Sequence, residues 1–117
     1  MVKAVIFDMY ETLVTLWHTN PYMGREISRD AGIPETVFRE IWDTTDTERA
    51  IGKLTYEEVI ERILKVNNRY SKDLFELLVE KRIASKVESF KHIHAEIIPM
   101  LEKLKELGIK IGLVTNC

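Results

Sequence analysis

Two polar clusters in this chain stand at the ends of apolar runs, and their residue types can do chemistry together. The first, Asp8-Met9-Tyr10-Glu11-Thr12, follows Val5-Ile6-Phe7; the second, Thr115-Asn116, follows Ile111-Gly112-Leu113-Val114. A carboxylate fixed where a strand ends can serve as a nucleophile. Hydroxyl and amide donors beside it can hold the negative charge of a substrate. A single Asp after a strand more often begins an ordinary turn, so Asp8 alone says little. Two clusters delivered to the same sheet edge say more, because ligands of open parallel sheets gather at the carboxyl ends of the strands.

The elements that must position these clusters are readable from the pattern. Lys3-Ala4-Val5-Ile6-Phe7-Asp8 is a continuous apolar run ending in a carboxylate, the pattern of a strand buried on both faces in a parallel sheet. Ile109-Lys110-Ile111-Gly112-Leu113-Val114 is a second such run. From about residue 20 to 90 the pattern is helical. Asn20-Pro21 reads as a helix start with Gly32 as its stop, and a second helix is expected from Pro34 to Gly52. Thr55 and Glu58 form a capping box ahead of the stripe Val59, Ile60, Ile63 and Leu64. Ser71 opens a fourth helix bearing Leu74, Phe75, Leu78, Ile83 and Val87, and Pro99 can start a last one that Gly108 closes. The expected fold is α/β: a partial Rossmann-like parallel sheet of two strands, formed by residues 1–16 and 93–117, with an α-helical bundle inserted over residues 17–92.

Composition narrows the class without naming a chemistry. The 117 residues include 17 Lys+Arg and 19 Asp+Glu, a formal net charge of −2, which argues against a cationic nucleic-acid-binding arm. With 45% hydrophobic and 31% charged residues the chain matches a folded globular domain rather than a disordered tail. No apolar stretch is long enough to span a bilayer, so neither membrane nor nucleic acid is an expected partner. One cysteine, Cys117, excludes an internal disulfide and fits a reducing, cytoplasmic setting.

The wording of the two clusters resembles the haloacid dehalogenase-like hydrolase superfamily. Val5-Ile6-Phe7-Asp8-Met9-Tyr10-Glu11-Thr12-Leu13 is similar to its first motif, in which apolar residues precede a nucleophilic Asp and Thr follows four positions later. Ile98-Pro99-Met100-Leu101-Glu102-Lys103-Leu104-Lys105-Glu106-Leu107-Gly108, with the strand to Thr115-Asn116, resembles its helix and second motif, and the helical insert resembles its cap. The resemblance implies Asp8 as covalent nucleophile, Tyr10 and Thr12 as its companions, and Thr115 and Asn116 as substrate-binding groups. It implies a small-molecule substrate and, for phosphatase chemistry, Mg²⁺ held by Asp8 and the backbone carbonyl of Tyr10. The family's second carboxylate, two residues after the nucleophile, is Tyr10 here. A phenol with an ordinary pKa of roughly 10 is a poor base at neutral pH. Tyrosine at that place resembles the 2-haloacid dehalogenases, where halide leaves without a proton and no metal is required. Carbon–halogen hydrolysis is thereby favoured over phosphate-ester hydrolysis, although Glu11 replaces the family's usual Gly.

The resemblance also sets further expectations. The family's third-motif Lys and fourth-motif carboxylates have no counterpart here, so the chain reads as part of a longer protein and as inactive alone. A homodimer through unpaired sheet edges would be another way to complete the sheet, and a non-catalytic interaction module is the competing function. Dehalogenases of the family hold halide and carboxylate with a cap arginine, for which Arg39 is the candidate and Arg25 and Arg49 the rivals. Any one helix arginine is more often a solvated charge. His92 and His94 form a His-x-His pair without a nearby third ligand and read as a solvated linker. Trp17 and His18 fit the cleft lining or a hinge, and Trp42 with Phe38 fits the helical core. Cys117 lacks an activating neighbour.

Overall fold

The computed structural model describes residues 1–15 and 19–115. It is mixed α/β, with strand β1 at Ala4–Phe7, helices α1 (Gly24–Ala31), α2 (Glu35–Thr44), α3 (Asp46–Ala50), α4 (Tyr56–Val66), α5 (Lys72–Lys91) and α6 (Ile97–Glu106), and strand β2 at Lys110–Leu113. Two compact units result. One holds Met1–Pro21 with the chain from Lys86 onward; the other is Tyr22–Ser85. The boundaries lie inward of the expected 17 and 92. The twenty residues of α5 carry one unbroken helix across the second boundary, so no break in sequence pattern marks it.

In the first unit, β1 and β2 pair in parallel with Ala4 opposite Lys110, Val5 opposite Ile111, Ile6 opposite Gly112 and Phe7 opposite Leu113. The pairing extends to the Lys110 N–H on the Lys3 carbonyl at 3.0 Å and the Val114 N–H on the Phe7 carbonyl at 2.9 Å. A parallel pair needs a long crossover, and α6 supplies its last part, packing against β2. Pro99 is the third residue of α6 rather than its start, which a helix tolerates because its first-turn amides have no intrahelical acceptor. The strands are not buried on both faces as their composition led us to expect. Val5 and Phe7 are half-buried, whereas Ile6 is 68% and Val114 67% exposed. Helix α6 can cover one face of a two-stranded sheet, and among the described residues nothing covers the other.

The second unit is helical throughout and owns the core. Phe38, Ile27, Val59, Ile60, Ile63, Leu64 and Leu78 are almost wholly buried, with Trp42, Tyr56 and Phe75 packed around them. The expected stripe of α4 is therefore its buried face. Its capping box is present as read: the Glu58 N–H donates to Thr55 Oγ1 at 3.2 Å, and the Thr55 N–H donates to Glu58 Oε2 at 2.8 Å. Ser71 caps α5 by accepting the Leu74 N–H at 3.1 Å.

Three expectations about this unit need correction. The first helix does not begin at Asn20-Pro21. It begins at Gly24, because Glu26 accepts the Met23 N–H at 3.2 Å and the Tyr22 N–H is diverted to Ser85 Oγ at 2.9 Å. The helix expected from Pro34 to Gly52 divides at Thr45. The Thr44 and Thr45 hydroxyls donate back to the Ile41 carbonyl at 2.9 and 3.1 Å, competing with the regular backbone ladder. Finally, Ile83 and Val87 do not extend the buried stripe of α5; they are 55% and 52% exposed.

Candidate functional site

The site grows from the turn that follows β1. The Met9 carbonyl accepts three amides, from Thr12 at 3.4 Å, Leu13 at 2.9 Å and Val14 at 3.0 Å, while the Glu11 N–H reaches the Val14 carbonyl at 2.6 Å. Val14 is buried and pins the loop from inside. So tight a closure sends one residue into the left-handed region: Glu11 has φ 58°. Glycine occupies that region freely, and a residue with a Cβ does so at a cost. The backbone thus keeps a glycine-type turn where the sequence carries Glu. Thr15 Oγ1 donates to Glu11 Oε2 at 3.2 Å across the loop.

Asp8 stands exposed at the start of this turn, with one carboxylate oxygen accepting the Met9 N–H at 2.9 Å. Carried one step past the Phe7–Leu113 pair, the strand register sets Asp8 level with Val114, and Thr115 lies one residue further along β2. The two clusters therefore share the carboxyl edge of the sheet. Tyr10 is half-buried in the loop, and the Lys86 ammonium lies 5.8 Å from its ring centroid. Thr12 is exposed. Asn116 lies outside the described residues, as do Trp17, His18 and Cys117. A cavity of about 390 Å³ adjoins the loop on the side of Glu11, Thr12, Thr15, His94, Glu96 and Ile97, and Asp8 is not among its lining residues.

The three candidate arginines are engaged inside the helical unit. Arg39 donates through Nε and a terminal nitrogen to Glu35 Oε1 at 3.0 and 2.9 Å, and Arg25 lies 3.9 Å from the other oxygen of Glu35. Arg49 lies 3.7 Å over the Trp42 ring and donates to the Trp42 carbonyl at 3.0 Å, which ties α3 to the end of α2. The histidines part company: His92 Nε2 meets Glu88 at 3.0 Å, and His94 Nδ1 accepts the Glu96 N–H at 3.4 Å. Among the described residues no group of three or more His, Cys, Asp or Glu side chains could hold a metal ion. The donors expected for Mg²⁺ from the sequence are the Asp8 carboxylate and the Tyr10 carbonyl. Their hard-oxygen chemistry fits a cation that binds one or two carboxylates and fills its remaining positions with water and substrate oxygens.

The position of Lys86 beside Tyr10 was not legible in the sequence. No local signal marks it, because its place beside Tyr10 depends on how far α5 runs before the chain turns.

A parallel strand pair with a carboxylate just past one strand and a hydroxyl two residues past its neighbour is an α/β arrangement, a class in which ligands commonly gather at the strands' carboxyl edge. Residues 2–116 match the family model of the haloacid dehalogenase-like hydrolases. The chain belongs to that family and is a hydrolase by that membership. No curated protein matches it, and no solved structure does.

Proposed function

We propose that Asp8 is the covalent nucleophile of this hydrolase and that its substrate is a small organic anion, with carbon–halogen hydrolysis favoured over phosphate-ester hydrolysis. The observation that carries the reading is the placement of Asp8 at the carboxyl edge, level with the end of β2, with Tyr10 rather than a carboxylate two residues on. In the favoured reaction an Asp8 oxygen bonds to the carbon bearing the halogen, and the carbon–halogen pair leaves as halide. Water then attacks the carbonyl carbon of the new ester, releasing the hydroxy acid and restoring the Asp8 carboxylate. Halide departs without a proton, so a phenol at position 10 is no handicap to the first step. We read the helical unit as the family's cap. Its first and last residues meet through the Tyr22 N–H and Ser85 Oγ, which suits a module inserted into a loop.

Phosphoryl transfer is the second reading, supported by the two oxygen donors of Asp8 and Tyr10. Mg²⁺ there would offset the charge of a phosphate approached by a carboxylate.

Mass spectrometry of the Asp8 peptide tests both. The chain is incubated with 2-chloropropionate, or with a phosphate ester and Mg²⁺. We expect an ester adduct on wild type with the first and a phosphoryl adduct with the second if that chemistry operates, and neither on Asp8→Asn. An adduct on another residue, or one that persists in Asp8→Asn, sinks the assignment.

A further inference from the structure

We infer that the helical unit carries an oxyanion site of its own, in which the guanidinium groups of Arg82 and Arg49, seated on Trp42 and Tyr56, together take one phosphate group. Both arginines and both rings belong to the same compact unit, Tyr22–Ser85. The Arg49 Cζ lies 3.7 Å from the Trp42 ring centroid. The Arg82 Cζ lies 5.8 Å from the same ring and 4.4 Å from the Tyr56 ring, within the range at which a ring attracts a cation. The rings themselves meet edge to face, with 5.9 Å between centroids and 75° between planes. The aromatic pair thus brings two like charges, one from α3 and one from α5, to one place.

A guanidinium offers five N–H donors in a planar fork, and a ring against its face leaves the edge that carries them open. Arg49 spends Nε on Thr45 Oγ1 at 3.4 Å, and one terminal nitrogen on the Trp42 carbonyl at 3.0 Å and on Asp46 at 3.3 Å. Its other terminal nitrogen has no partner among the described residues. Arg82 makes no hydrogen bond and no ion pair among them; its contacts are the two rings. Burial lowers the Arg49 pKa, Asp46 and Asp43 oppose that shift, and the charge of Arg82 adds to it. Asp46 is itself 78% exposed, so water weakens its hold. Two half-buried guanidiniums therefore feel each other's charge, and no carboxylate pairs with Arg82.

An anion with several oxygens relieves that repulsion and uses the idle donors at once. A phosphate group suits the task. Its oxygens accept parallel N–H bonds from an arginine fork, and its charge of about −2 matches two cations. A monocarboxylate brings one charge and two oxygens, enough for one fork. The site goes beyond the hydrolytic reading and does not rest on it, since none of its residues belongs to the Asp8 loop.

The test follows the Trp42 indole N–H by NMR while the 117-residue chain is titrated, at constant ionic strength, with inorganic phosphate, glycerol 3-phosphate or acetate. Wild type should show a saturable shift with phosphate and a weaker response to acetate. Tighter binding of the ester identifies an organic phosphate as the ligand; equal or weaker binding identifies the free ion. Arg82→Gln and Arg49→Gln should each weaken phosphate binding about tenfold, the loss of one charge-assisted fork. Arg82→Lys keeps the charge without the fork and should fall between. Phosphate should also raise the thermal midpoint of wild type, as any ligand of the folded state does, and not that of Arg82→Gln. A merely structural stack would lower the midpoint of that variant and leave the phosphate increment intact. Should Arg82→Gln not fold, Arg82→Lys and Arg49→Gln carry the comparison. No saturable shift, acetate binding as tightly as phosphate, or unchanged affinity in either glutamine variant overturns the site. Asp8→Asn should leave the Trp42 response as in wild type, so the nucleophile assignment can fail while this site stands.

Discussion

Replacing Glu11 by glycine should stabilise the loop that presents Asp8, and replacing it by alanine should not. Glu11 holds φ 58°, where a Cβ crowds its own backbone; an L-residue pays roughly 1–2 kcal/mol to stay there. Glycine removes that cost but gains freedom in the unfolded chain, which returns roughly 0.5–1 kcal/mol. Either variant forfeits the Thr15 hydroxyl bond to Glu11 Oε2, which is 3.2 Å long and exposed, worth at most about 0.5 kcal/mol in water. Glu11→Gly should therefore fall between neutral and about 0.5 kcal/mol more stable. Glu11→Ala keeps the crowding and loses the bond, and should cost about 0.5 kcal/mol. The decisive quantity is the gap of about 1 kcal/mol in favour of glycine, the reverse of the order in a helix. Hydrogen exchange at the Thr12, Leu13 and Val14 amides reads it locally, since all three donate to Met9 and exchange only when the loop opens. Alanine protecting those amides as well as glycine does would show that the left-handed turn is not what holds the loop.

Further outcomes follow from the helical unit and the site. Asp30 accepts Lys81 Nζ at 2.6 Å and the Tyr22 hydroxyl at 2.9 Å, and the lysine bond chiefly holds its carboxyl below the usual carboxylate range. Its contribution is present above pH 4 and fades as pH falls through the lowered value; with Lys81 43% exposed, Asp30→Asn should cost about 1 kcal/mol near neutrality and progressively less as the medium is acidified below pH 4, by urea unfolding across pH. Burial pushes the Tyr56 phenol up to about 12, so stability should fall between pH 10 and 12 as the unfolded chain ionises first, and Tyr56→Phe should flatten that limb. Leu64→Ala, at a site with no exposure, should cost about 2–5 kcal/mol, against about 1 kcal/mol for Thr55→Ala at the cap.

What the sequence determined by itself is local. The capping box at Thr55, the buried stripe behind it and the Ser71 cap were legible because each is settled within a few residues of chain. So was the parallel pairing of the two apolar runs, because runs separated by a long helical segment have no short hairpin to join them. The placement of Asp8 and Thr115 at one edge follows from that pairing and strand polarity alone. The tertiary structure decided the rest. The start of the first helix moved because Ser85, sixty-three residues away, takes the Tyr22 amide. The Arg39 guanidinium pairs with Glu35, one turn earlier on the same helix. The exposure of Ile6 and Val114 contradicts their composition, since burial depends on what covers a face and not on what the face is made of. Lys86 meets Tyr10 only because α5 stays helical for twenty residues, and no window of sequence contains both partners.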